Sequence, residues 1–547
     1  MSSPTAPSTG ADPSSSGAPG GWQDAPPDPR RWWTLGAVCL GTFMLLLDIT
    51  IVVVALPNIQ AELHASFSDL QWIVDAYALT LASLLLTAGS LADIYGRRRF
   101  YVLGLGLFTL ASLACGVSQS PLVLILARAA QGIGGAIMFA VSLALLASAF
   151  RGRERGMAFG VWGAITGIAV AVGPVVGGAL TAASWRWIFF VNLPIGIIAI
   201  VLTVLRVSES RMPSASRPDY PGVVTFTGAL CLLVYALIRA GEQGFGESAV
   251  LGCFAGAAVL LAAFLLVEVH GTHPMFDLTL FRKPTFVGGS IIAFALSASI
   301  FSLQLYLVLY LQDVLHFSAF GTGLRLLVLS GGILATSAAA GRLTSHVPIR
   351  WLVGPGMILV GAGLLLFLRI SADRSWTAMI PGLIVCGLGI GLTNPPLAST
   401  AVGVVEPRRA GMASGINSTF RQVGIATGIA VWGSLFASRT TAVLHDQLAH
   451  LPGAAAVPAL RGLPIAVRNG AAGPLIAHLP GPLQAAVGRA ATVSFVAGLH
   501  HILVIGAIVA FVGGVAGLVM VRTKDLVGHG PADRPAAGQD TAAEPTV

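Results

Sequence analysis

Fourteen stretches of this chain are long and apolar enough to cross a membrane as helices: 33–56, 72–92, 100–118, 122–148, 157–182, 188–206, 222–240, 249–268, 285–311, 322–342, 350–369, 376–400, 413–437 and 496–521. A bilayer core takes about 20 predominantly apolar residues per helix. The sequence therefore predicts an all-α polytopic membrane protein with 14 transmembrane helices. Composition argues against several soluble domains. Of 547 residues, 10% are charged and 55% hydrophobic, whereas a soluble domain carries about 25% charged residues. The 66 glycines and 31 prolines favour close helix approach and local breaks, as in bundles that pack and move.

Basic residues set the orientation. With the N-terminus cytoplasmic, 20 of the 31 Lys and Arg residues fall inside and nine outside, while Arg128 and Arg421 lie in the membrane. Short loops rich in Lys and Arg stay on the cytoplasmic side, so both termini are expected inside. The formal charge of +8 is read as topology, because Arg97, Arg98 and Arg99 form the only basic cluster and nucleic acid is not an expected partner. The five cysteines (Cys39, Cys115, Cys231, Cys253 and Cys386) lie in apolar runs without CxxC spacing, so neither disulfides nor a metal cluster is expected. Residues 1–30 and 523–547 are expected to be disordered cytoplasmic tails. Arg30-Arg31-Trp32-Trp33 is not read as a twin-arginine signal, since the run behind it is of full membrane length and thirteen more follow.

The spans group as six, two and six. Polar, proline-containing segments at 208–221 and 269–284 bracket an inserted pair. The expected units are an N-terminal six-helix bundle at 31–207, a two-helix linker at 208–284 and a C-terminal six-helix bundle at 285–522. Segment 438–495 is too long for a simple connection and is expected to be an extracellular loop that caps the outer face with short amphipathic helices. His445, Asp446 and His450 within it are read as a solvated helix face, not as a metal site.

Between the second and third spans stands Gly89-Ser-Leu-Ala-Asp93-Ile-Tyr-Gly96-Arg97-Arg98-Arg99. Gly96 permits a tight turn, and Asp93 is placed to face a helix N-terminus or to pair with Arg97. The run resembles the signature loop of the major facilitator superfamily, whose matching residues latch one conformation of the carrier; the resemblance gives that role to Gly89, Asp93, Gly96, Arg97 and Arg98. A fainter version at Gly341-Arg342 to Arg350 suits an internally duplicated fold. The fourth span carries Arg128-Ala-Ala-Gln131-Gly132-Ile-Gly134-Gly135. An arginine in the membrane costs about 3 kcal/mol on insertion scales and needs a partner or water. This run resembles the superfamily motif in which the arginine assists proton transfer; a structural arginine bonded to carbonyls of a neighbouring helix is the alternative.

The fifth span spaces Gly156, Gly160, Gly163 and Gly167 for backbone-to-backbone approach, and then has Gly173-Pro174-Val-Val-Gly177-Gly178, where Pro174 bends the helix. It resembles the antiporter motif of exporters, carried here by Gly163, Gly167, Gly173, Pro174, Gly177 and Gly178. Leu47-Asp48-Ile-Thr50 through Pro57 and Trp185-Arg186-Trp187 through Gly196 resemble motifs of the fourteen-helix drug:proton antiporter family. That resemblance covers nearly all of 31–522, including Arg421-Gln422-Val-Gly424, and departs at Val53, where the family usually has Asn. The second span reads Trp72-Ile-Val-Asp75-Ala-Tyr77-Ala-Leu79, and members exporting cationic drugs often look like this.

The implied function is a proton-coupled efflux antiporter that exports lipophilic, cationic drugs or antibiotics across a bacterial cytoplasmic membrane by alternating access. Asp48, Asp75 and Arg128 are the expected proton-coupling residues, and Asp75, Asp48, Tyr77 and Gln131 the expected substrate-binding residues. A monomer in lipid, with no cofactor, is expected, since no GxxxxGK[ST] loop for ATP is present. A membrane enzyme lacks its His/Cys/Asp constellation, and a sensor lacks a large soluble domain. A uniporter or importer of a small metabolite on the same fold is the alternative. Lysine occurs only at Lys283 and Lys524, and with abundant alanine this usage points to a bacterium of high genomic GC.

Overall fold

The structure is a computed structural model that describes residues 29–526 apart from 66, 151, 211–218, 272–275, 345, 372–374, 406–409, 452–459, 461 and 469–471. Almost all of both expected tails lies outside the described residues. The chain folds into helices: α1 (Arg31–Leu63), α2 (Phe67–Tyr95), α3 (Arg97–Gly116), α4 (Pro121–Ala149), α5 (Gly152–Ala183), α6 (Trp187–Phe190), α7 (Asn192–Arg206), α8 (Tyr220–Gln243), α9 (Ser248–His270), α10 (Pro284–Leu296), α11 (Ser302–Leu309), α12 (Ala319–Leu343), α13 (Arg350–Leu366), α14 (Ile380–Gly403), α15 (Ala410–Ala449), α16 (Leu463–Arg468), α17 (Ala472–Ala477) and α18 (Gly481–Met520). Two wide turns of π type join α10 through α11 into one span, Pro284–Gln312.

Local chemistry sets several starts and stops. Ser120, Asp219 and Ser318 each accept a backbone N–H of the following first turn, from Val123, Gly222 and Gly321, and Pro121 and Pro221 occupy positions where no N–H is needed. The first helix, expected to end near 56, runs to Leu63 and stops where His64 takes the left-handed conformation. Among the described residues, twelve helices are by themselves long and apolar enough to cross a membrane. The expected spans outside that dozen are α5 and α15, of 32 and 40 residues.

Helices α1 to α7 pack mainly among themselves, and α10 to α18 do likewise, while α8 and α9 pair with one another and α8 lies against α2 and α15. The expected loop 438–495 is shorter at both ends. There, α15 continues to Ala449 and α18 begins at Gly481, because Leu444 and Val487 are fully buried in one apolar cluster that extends the pairing of the two helices. Helices α16 and α17 fill the gap, with Leu463 buried in that cluster and Ile476 packed against it. The two bundles meet along α5–α12, α5–α14, α2–α15 and α4–α15.

Candidate functional site

The most deeply buried charges lie inside the first bundle. Asp48 of α1 is fully buried and Arg128 of α4 is 1% exposed. Arg128 Nη1 donates to Asp48 Oδ2 at 2.6 Å and to Gln131 Oε1 at 2.8 Å, and its Nε donates to the Ile73 carbonyl of α2 at 3.2 Å. The guanidinium stands 4.1 Å over the Tyr77 ring. The second carboxylate oxygen, Asp48 Oδ1, accepts from Gln131 Nε2 and from Asn192 Nδ2 of α7, each at 2.9 Å. Asn192 Nδ2 also reaches Ser112 Oγ at 3.0 Å. Four helices are thus tied to one acid. Spacing explains part of this, because Arg128 and Gln131 are three residues apart and share a helix face. Arg128 makes the contact to a neighbouring helix carbonyl that the structural alternative expected, and holds an acid as well.

Asp48, Arg128, Gln131 and Tyr77 are therefore brought together. Asp75 is half-buried and shares the α2 face of Trp72, whose ring stacks on Tyr235 of α8 at 6.0 Å. Asp48, expected to couple protons and to bind substrate, is fully buried among partners of its own bundle. Asn192 stood in a quoted motif without an assigned role; a buried amide in an apolar run is the signal that marks it.

The second group sits at the opposite end of α2. Asp93 is 4% exposed. Its carboxylate pairs with Arg97 at 2.8 Å and accepts the N–H groups of Gly411 at 3.1 Å and Met412 at 3.0 Å, which open α15 in the other bundle. A negative group on the free N–H donors of a helix start is favourable in both charge and hydrogen bonding. Gly89, one turn earlier, lets the α15 backbone come against α2, since a side chain there would strike the Gly411 carbonyl. Gly96 has φ +106°, a left-handed value that glycine tolerates. Beyond it, Glu209 accepts the N–H groups of Arg98 at 3.0 Å and Arg99 at 3.2 Å, capping α3, and Arg98 Nη2 donates to the Val204 carbonyl. Glu209 carried no sequence signal beyond being an acid beside a basic loop. Glu209→Gln keeps one acceptor oxygen, so we expect a mild effect, a drop in transport of about threefold at unchanged expression, read by dye efflux.

The glycine stripe divides. Gly156 abuts the Gly341 backbone of α12, Gly163 abuts Pro395 of α14, and Gly167 abuts Ile333 of α12, whereas Gly173 and Gly177 abut Thr50 and Ile51 of α1 and Gly178 faces open space. Of the expected bend residue, Pro174, only the helical backbone is described. The first half of the stripe is a seam between bundles, and the second half is a contact inside one. Gly156→Val would force α5 from α12; with overpacking costing about 1–3 kcal/mol, transport should fall about tenfold or more. Maleimide labelling of Ser337→Cys in that background should speed up as the seam opens. At the other end, Glu62 accepts from Trp185 Nε1 at 2.7 Å and Arg186 Nη2 at 3.0 Å, and Arg186 also binds the Gly116 and Ser118 carbonyls, so the Trp-Arg-Trp motif fastens the first bundle.

The chain is 38% identical over 417 residues to multidrug resistance protein Stp of Mycobacterium tuberculosis, covering 76% of this chain and 78% of Stp. It is 36% identical over 427 residues to puromycin resistance protein pur8 of Streptomyces alboniger, covering 77% and 85%. With the tetracenomycin C resistance and export protein of Streptomyces glaucescens it shares 34% over 422 residues, covering 77% and 78%. These organisms are high-GC bacteria, as the residue usage suggested. Among solved structures, the human organic anion transporter MFSD10 matches with a TM-score of 0.59 at 14% identity, covering 90% of this chain and 100% of that one. A bacterial homologue of the lysosomal transporter Spinster matches with a TM-score of 0.52 at 18% identity, covering 92% and 99%. Both likenesses concern the fold. The sequence model of the Major Facilitator Superfamily matches residues 38–429. This chain belongs to the Major Facilitator Superfamily and is a membrane transport protein, not an enzyme.

Proposed function

We propose that this protein is a proton-coupled antiporter that exports lipophilic drugs or antibiotics across the bacterial cytoplasmic membrane. The names of its relatives support export of such compounds. The observation that carries proton coupling is the solvent-free Asp48–Arg128 pair. A proton on Asp48 cancels the pairing, and Arg128 then relaxes against Ile73 and Tyr77 of α2. The same helix holds Asp93 sixteen residues on, about 24 Å away at 1.5 Å per residue. Protonation at one end of α2 thereby biases the latch at the other.

In this reading α5 and α15 are also membrane spans, which gives fourteen. At 32 and 40 residues they are about 48 and 60 Å long, more than a 30 Å core requires. Residues 31–207 and 285–522 are the two moving bundles, and 208–284 is the inserted pair. The latch end, with Arg97 to Arg99, is cytoplasmic, as are both termini. The protein works as a monomer in lipid. Asp75 is the acid we assign to cationic cargo. A proton entering down roughly 150 mV supplies about 3.5 kcal/mol, enough for two to three decades of substrate gradient.

Everted vesicles test this reading. Adding ethidium to vesicles holding an inward-acid pH gradient should release protons outward in proportion to dye uptake. Dye movement without any pH change would mark a uniporter, and no dye movement would remove the efflux reading.

A further inference from the structure

Between α5 of the first bundle and α12 and α14 of the second lies a cavity of about 20 Å³. Thr166, Gln304, Ser330 and Asn394 form its polar wall and aliphatic side chains the remainder, with no charged residue among the described lining. Gly167, Ser330 and Asn394 each sit near the middle of their helices. The cavity opens where the inter-bundle seam from Gly156 to Gly167 ends.

Asn394 is 1% exposed, and its Oδ1 accepts no hydrogen bond. Ser337, two turns from Ser330 on α12, is fully buried with an equally unpaired hydroxyl. Ser330 reaches the Gly167 carbonyl at a long 3.4 Å. Pro395 and Pro396 follow Asn394 inside α14 and have no N–H, so the helix provides no donor for the Gly391 and Leu392 carbonyls. Buried polar groups are nearly always paired, and an unpaired acceptor in an apolar setting is costly. A buried amide oxygen without a donor, on the wall of a cavity where the two bundles meet, matches a ligand that brings one.

We infer that Asn394 is a specificity-determining residue for cargo. Resting on the export reading above, its amide oxygen accepts an N–H or O–H of a lipophilic substrate when the bundles part, and the aliphatic wall takes the substrate's apolar body. The class favoured is lipophilic compounds carrying aromatic amino or hydroxyl groups over equally lipophilic compounds with none.

Two cationic probes separate these claims in proteoliposomes with an imposed pH gradient. Ethidium has two aromatic amino groups, and tetraphenylphosphonium has no donor. Asn394→Leu should raise the KM for ethidium about tenfold, the worth of one buried hydrogen bond, and leave tetraphenylphosphonium unchanged. Asn394→Gln, which keeps an amide, should hold the ethidium KM near that of the parent. Equal effects of Asn394→Leu on both probes, including loss of both, or no effect on either, would overturn the assignment. A parent protein that moves neither probe would instead sink the export reading.

Discussion

Replacing Arg128 with alanine should abolish proton-driven efflux while leaving a folded protein in the membrane. Arg128 and Asp48 are both buried and share a 2.6 Å contact. Removing one member of a buried pair costs about 3–5 kcal/mol when the other stays charged. Gln131 and Asn192 still donate to Asp48 and offset part of that cost. The fold then survives without the buried ion pair on which the proposed coupling rests, and the cycle stalls. Asp48→Asn should fail in the same way for every substrate. The double variant Asp48→Asn/Arg128→Gln separates stability from coupling, because it leaves no unpaired buried charge. Its expression and melting should approach those of the parent, while ethidium efflux stays at background. Active efflux by a well-expressed Arg128→Ala protein would refute the coupling role.

The sequence made the all-helical class and most of the apolar spans legible, twelve of the expected fourteen meeting the length and hydropathy of a membrane span among the described residues, because length and hydropathy are local properties. It placed their ends less well. Nothing in the apolar run before Pro57 announces that α1 continues to Leu63, and the apolar cluster that buries Leu444 and Val487 where α15 and α18 lengthen is tertiary. The candidate site follows the same division. Asp93 with Arg97, and Arg128 with Gln131, are neighbours on one helix or its turn, so spacing brought them together. The start of α15, which Asp93 holds, lies 318 residues away and has no motif of its own. Asp48 and Asp75 were expected to share the proton and substrate roles, yet position along an apolar span does not fix the face a residue takes. Asp48 turns into its bundle toward Arg128 and Asn192, while Asp75 lies three residues from Trp72, on the side toward α8. The glycine stripe was read as one surface, and it changes partner at Gly173 because α5 passes from α12 to α1.

Asp93→Asn should slow the switching of the carrier much more than it weakens drug binding. The Asp93 carboxylate serves two masters at once, the Arg97 guanidinium and the first N–H groups of α15. An asparagine keeps one acceptor oxygen but presents an NH₂ group where a second acceptor is needed, so Gly411 or Met412 meets a donor. It also leaves Arg97, 4% exposed, without its counter-charge. Charge-assisted hydrogen bonds are worth about 1.5–3 kcal/mol each. Losing one from the latched state alone shifts the open–closed balance at this end by about ten- to a hundredfold. The cargo site is affected little, because Asn394 and Ser330 lie near mid-helix on other elements, and Asp93 is at the end of α2. The expected result is ethidium efflux reduced about tenfold or more, with an equilibrium dissociation constant within about threefold of the parent. Thiol labelling of a Gly411→Cys reporter is unsuitable, since that position has no room for a side chain. Ser90→Cys, on the same end of α2 and 8% exposed, should instead label faster in the Asp93→Asn background. If drug binding collapsed while the bound fraction moved at the parental rate, Asp93 would belong to the cargo site and the latch assignment would be wrong.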